Sequence, residues 1–207
     1  MFKRSSLSLI TTTALALALG ACSTTGSPRA QSAEAAAPQS DYQSNIDTYS
    51  NEELVEVVAD FFGVTAEAAA SVLERTFSDL GRPVGYIAGE EVSGAAGVGL
   101  RYGEGYLTMK GSAYLQKVYW QGPTLGFDAG GNASRVFTLV YRLNDSDRLY
   151  QRFPGVEGSA YLVAGMGVNY QRADGITLAP IRSGVGLRAG ANVGYLSYSR
   201  QRNWIPF

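Results

Sequence analysis

The groups able to do chemistry in this chain are few. Arg152 and Glu157 stand in its densest mixed polar and aromatic stretch, Asp147–Gly158, and Arg182 and Arg188 stand in a glycine-rich run near the C-terminus. All four are candidates for polar contacts with a ligand or partner: Arg152 and Glu157 because a long loop of such content commonly carries a binding surface, Arg182 and Arg188 because basic residues accumulate there. The alternative for Asp147–Gly158 is a loop pinned by Tyr150 and Phe153, with Arg152 and Glu157 in local hydrogen bonds. Glu90, Glu91, Asp128, Asp145, Asp147, Glu157 and Asp174 could supply a glycosidase-type carboxylate pair, which needs a separation of about 5–10 Å. Chain spacing does not establish such a pair, and Asp145, Asp147 and Asp174 read as turn residues. There is no histidine in the 207 residues. That removes Ser-His-Asp and Cys-His catalysis and histidine-based zinc sites. Gly97-Val98-Gly99 and Gly184-Val185-Gly186 do not continue as G-x-G-x-x-G and read as structural glycines. The expectation is a protein that is not an enzyme, with no metal and no cofactor.

The remaining reactive group is the single thiol, Cys22. It follows a basic start (Lys3, Arg4), an uncharged stretch Leu7–Leu19, and Leu19-Gly20-Ala21, the pattern of a lipoprotein signal peptide. The apolar stretch is shorter than the roughly 20 residues that span a bilayer as a helix, so residues 1–21 read as a secretion signal. Cys22 is then the lipid attachment site, its thiol acylated with palmitate-type chains. Ser23 stands where an inner-membrane retention aspartate would otherwise be, which favours sorting to the outer membrane. The expected location is the periplasm, with the membrane as a partner through the lipid anchor.

Residues 1–21 hold two of the 17 basic residues and none of the 18 acidic ones, so the mature chain has a net charge of −3. Nucleic acid is not an expected partner for so acidic a chain. The charge is unevenly spread. No acidic residue follows Asp174, whereas Arg182, Arg188, Arg200 and Arg202 do; Glu52, Glu53, Glu56, Asp60, Glu67, Glu74 and Asp79 stand against Arg75 near the start of the ordered region. Anionic lipid or polysaccharide would suit such asymmetry, as would mutual neutralisation or simple solvation.

Residues 22–48 are rich in Ser, Thr, Ala, Gln and Pro and read as a flexible tether. Residues 49–81 read as two helices. Ser50 and Glu53 form a capping box ahead of Leu54, Val57, Val58 and Phe61, and Gly63 stops that helix. Thr65 caps the second, whose apolar positions run to Leu80 before Gly81 and Pro83.

From Gly81 onward the chain holds all but Gly20, Gly26 and Gly63 of the 25 glycines, and all but Tyr42 and Tyr49 of the 13 tyrosines. Strands are expected near 84–88, 92–102, 106–109, 113–120, 124–128, 134–143, 159–171, 176–180 and 183–199. Gly103-Glu104-Gly105 and Asp174-Gly175 read as hairpin turns, and 144–158 as a longer connection. Alternate glycines leave one strand face nearly bare, which implies bending or close approach by another element. The expected fold is mainly β: a small antiparallel β-barrel over 82–207, preceded by two short N-terminal helices and forming one domain with them.

The segments Gly155–Tyr161, Gly167–Arg172 and Leu178–Arg188, with Gly122–Gly131 and Gly190–Leu196, resemble the alphaproteobacterial EipA family, envelope integrity protein A, first described as a domain of unknown function. The likeness covers roughly residues 50–207. It implies a secreted, soluble β-barrel that supports envelope integrity and stress resistance, with no established catalytic or ligand-binding residues to carry over. The lipobox departs from a freely soluble form. Gly126–Gly131 and Tyr198-Ser199-Arg200 are also similar to the lipid-binding SYLF domain. The expected function is binding of an envelope lipid, polysaccharide or protein. The alternatives are a carrier of lipid or a small apolar ligand, which needs an apolar cavity, and a cell-wall-active enzyme or an inhibitor of one.

Overall fold

A computed structural model describes residues 47–126, 132–156, 159–183 and 194–203, with the backbone alone at 95–98, 124–126 and 132. Cys22, Glu157, Arg188, the signal segment and residues 22–46 of the expected tether lie outside the described residues.

Helix α1 spans Asn51–Phe62 and α2 spans Ala66–Leu80. Their ends are set by local chemistry. The Glu53 backbone N–H donates to the Ser50 hydroxyl, and the Ser50 N–H donates to the Glu53 carboxylate at 2.8 Å, closing the capping box. Gly63 (φ 69°) takes the left-handed conformation that ends α1. Thr65 accepts from the Ala68 N–H, and Gly81 (φ 81°) ends α2. The buried stripe of α1 is Leu54, Val58, Ala59 and Phe62, one position round from the expected face: Val57 is exposed and Phe61 only partly covered.

The strands are β1 (Gly85–Met109), β2 (Leu115–Gly126), β3 (Asn132–Tyr141), β4 (Arg152–Pro154), β5 (Tyr161–Val163), β6 (Met166–Val168), β7 (Gln171–Ala173), β8 (Ile176–Ser183) and β9 (Tyr195–Ser199). All pairings are antiparallel, in the order β4-β9-β2-β1-β3-β8-β6-β5, with β7 continuing the β6 edge of β8. Gly155 bridges Gln171, and the Val156 N–H donates to the Tyr170 carbonyl at 2.8 Å. These contacts join the β4 end of the sheet to β7, so the sheet curls into a barrel, as the alternating glycines imply.

Several expected strand limits are corrected. Gly103-Glu104-Gly105 is not a turn: it pairs with Trp120, Tyr119 and Val118 inside a continuous ladder. β1 nevertheless doubles back. Gly89 and Gly105 would lie roughly 50 Å apart in an extended chain, yet an added Cβ on Gly89 would fall 2.7 Å from the Gly105 Cα. Its first part pairs with β3 and its second with β2, so one strand supplies two staves. The expected break between 120 and 124 is absent, and β2 runs through it. Conversely, 159–171 divides into β5, β6 and β7, with a tight turn at Ala164 (φ 49°) and Gly165 (φ 78°). The connection 144–158 contains a 3-10 turn, Ser146–Leu149, and β4. Asp174-Gly175 is the expected tight turn, both residues having positive φ.

Alternation divides the buried residues into two cores. Phe137, Leu139, Tyr141, Ala179 and Ile181 face outward under α1 and α2. Val136, Val140, Ile176 and Leu178 face inward, where Ile87, Leu107, Val118, Phe153 and Leu196 fill the barrel.

Candidate functional site

One layer of the filled interior is charged. Glu91 has the same parity as the inward Ile87, Arg101 that of Leu107, and Arg182 that of Leu178. Curling of the sheet brings the three together, each almost wholly buried. Arg182 Nε donates to Glu91 Oε1 at 3.1 Å, and Arg101 Nε lies 3.0 Å from the same oxygen. Trp120 Nε1 donates to Glu91 Oε2 at 2.9 Å, and Arg182 Nη1 donates to Asn169 Oδ1 at 2.8 Å.

Glycine makes this arrangement possible. A Cβ on Gly103 would sit 2.1 Å from the Trp120 ring, and one on Gly89 would sit 2.8 Å from it. The bare backbone of β1 is therefore the shelf on which the indole lies while reaching Glu91. Burial by itself raises the Glu91 carboxyl. The Arg182 and Arg101 guanidiniums, with the bonds from Arg182 and Trp120, outweigh it and hold the carboxyl below its ordinary value. Burial pushes the neighbouring Tyr198 hydroxyl up, keeping it neutral.

A second polar network fastens α2 to the outside of the sheet. The Tyr170 hydroxyl donates to Asp79 at 2.8 Å, lies 3.0 Å from the Tyr161 hydroxyl, and that in turn lies 2.8 Å from Thr76 Oγ1. The Tyr141 hydroxyl is buried and has no hydrogen-bond partner among the described residues.

Of the residues singled out by sequence, Arg182 lies inside the barrel, with its guanidinium engaged by Glu91 and Asn169. Arg152 is exposed on β4, its guanidinium 5.0 Å from the Tyr195 ring centre. The two therefore belong to different surfaces. Sequence reading missed Arg101, Trp120 and Asn169 as partners. The signal that could have found Arg101 and Glu91 is strand parity counted from Leu107 and Ile87. Glu91 faces guanidiniums, not a second carboxylate, and no group of three or more His, Cys, Asp or Glu able to hold a metal occurs among the described residues.

The fold and its buried ionic layer define a small, helix-flanked β-barrel protein. The chain matches the family model described as envelope integrity protein A over residues 47–207 and belongs to that family. It is also similar to a β-barrel-like, uncharacterized protein from Brucella abortus of known crystal structure. The two share 48% sequence identity and superpose with a TM-score of 0.68, over 77% of this chain and 99% of that one. No curated protein matches the chain.

Proposed function

We propose that this protein is a lipid-tethered periplasmic component that supports envelope integrity and stress resistance by binding an envelope constituent, not by catalysis. The observation that carries the reading is the state of Glu91. A general acid needs a carboxyl that can hold a proton near the working pH. Glu91 instead is pinned as a carboxylate between Arg101 and Arg182, with Trp120 on its other oxygen. Among the described residues, the side chains of Val118, Phe153, Leu178 and Leu196 pack together inside the barrel, which favours contact at the surface over cargo carried within. What remains for function is the outside of the barrel. The family's name supports the envelope, the Leu19-Gly20-Ala21-Cys22 pattern supports acylation at Cys22, and Ser23 supports outer-membrane sorting.

Cells lacking the native gene and complemented with wild type or Cys22→Ser test this directly. The wild type is expected to incorporate labelled palmitate, sediment with membranes and restore growth on detergent or wall-directed antibiotics. Cys22→Ser is expected to lose label and sedimentation. Turnover of a wall polymer by the purified protein would overturn the binding reading.

A further inference from the structure

We propose that the outer face of β1 and β2 binds an acidic polysaccharide, with Tyr106, Lys117 and Tyr119 at the centre of the site. This names a partner class for the envelope-binding reading and rests on it.

The register places these side chains together. Tyr106 is opposite Lys117, and Glu104 is opposite Tyr119. Trp120 and Val118 point into the barrel, so their neighbours Lys117 and Tyr119 point out. Lys117 Nζ lies 5.7 Å from the Tyr106 ring centre and 5.4 Å from that of Tyr119. Tyr106 is 48% exposed, and the same face continues to Leu115, 65% exposed. Two strands away, Arg152 shares the row that runs through Ser197 and Gln121 to Tyr102. No described carboxylate pairs with it.

Charge complementarity selects an anionic occupant. Lys117, Arg152, Arg200 and Arg202 stand on this face or its rim, against Glu104 and Asp147. Helices α1 and α2, on another flank, carry Arg75 as their sole basic residue among seven acidic ones. Ring chemistry then separates polymer from membrane. Insertion into lipid relies on large apolar side chains such as Trp, Phe and Leu, and here Leu115 and Leu100 stand at the two ends of a face whose middle is made of tyrosines and charged side chains. A tyrosine ring can pack on the C–H face of a sugar while its hydroxyl exchanges hydrogen bonds with the sugar's own, and the cations meet its carboxylates.

The full chain, purified in mild detergent, can be passed over beads bearing polygalacturonate and over beads bearing neutral dextran. Selective, salt-sensitive retention on polygalacturonate is expected. Lys117→Ser and Tyr119→Ala should each weaken it about two- to fivefold, whereas Arg172→Ser, at an exposed position on β7, should not. Equal retention on both beads, no retention, or retention unaffected by either variant would overturn the proposal. So would binding confined to phosphatidylglycerol vesicles. Should Tyr119→Ala misfold by circular dichroism, the exposed Lys117→Ser variant decides alone. The Cys22 labelling and complementation results are independent of this binding, so failure here leaves the envelope reading standing on its own test.

Discussion

Glu91 and Arg182 are 91 residues apart in the chain and adjacent in the barrel, where Arg182 Nε donates to Glu91 Oε1 at 3.1 Å. The contact ties β1 to β8 across a filled interior, and Arg101 and Trp120 complete the ring around the carboxylate. Desolvating such a cluster is costly, and its members are mutually dependent.

Glu91→Gln should therefore destabilise the protein by about 3–5 kcal/mol, because two buried guanidiniums lose their counter-charge. A fall in Tm of roughly 6–20 °C follows for a chain of this size. The triple change Glu91→Leu, Arg101→Met, Arg182→Met should lose less than Glu91→Gln alone. Thermal melts followed by circular dichroism check both expectations.

The same carboxylate sets an acid dependence. Its folded-state pKa lies below the ordinary value of 4.5. Its contribution is thus complete above pH 4.5 and is lost as the pH falls through the folded value. The stability gap between wild type and Glu91→Gln should be widest above pH 5 and close on further acidification. A gap that stays constant down to pH 2 would contradict the assignment.

Tyr141 gives the opposite limb. Burial raises its hydroxyl well above the ordinary 10.0. A raised folded pKa contributes stability that is present below pH 10 and is lost as the pH climbs beyond it. Since this hydroxyl has no hydrogen-bond partner among the described residues, Tyr141→Phe should be neutral or slightly stabilising at pH 7. Above pH 10 it should outlast the wild type, as denaturant titrations at pH 7 and 11 can read.

Glycine substitutions separate close approach from mere flexibility. Gly103→Ala puts a methyl group into the Trp120 ring and should cost about 1–3 kcal/mol, with altered tryptophan fluorescence. Gly94→Ala meets nothing within 4 Å and should stay within about 0.5 kcal/mol of wild type.

These particulars show what the sequence could tell. Helix ends were legible because Ser50, Thr65, Gly63 and Gly81 act on groups three or four residues away. Asp174-Gly175 was legible for the same reason. Gly103-Glu104-Gly105 has the composition of a turn, yet Gly103 is required by an indole 17 positions on and Gly105 by the backbone of Ala88 and Gly89, and no local pattern reports either. Glu90 and Glu91 look alike in sequence; parity from Ile87 puts one in water and the other in the barrel. Arg182 drew attention as a polar contact because arginines accumulate after Asp174 with no acidic residue among them. Its partner is the buried Glu91, 91 residues earlier in the chain.

The junction of Gly155 and Val156 with Tyr170 and Gln171 has a mechanical meaning. A hoop clasped by so few links yields at the clasp before it yields along its woven length. Deuterium should accordingly enter the amides of β4 and β7 ahead of those in the long β1–β2 ladder, making that narrow join the place where the barrel begins to breathe.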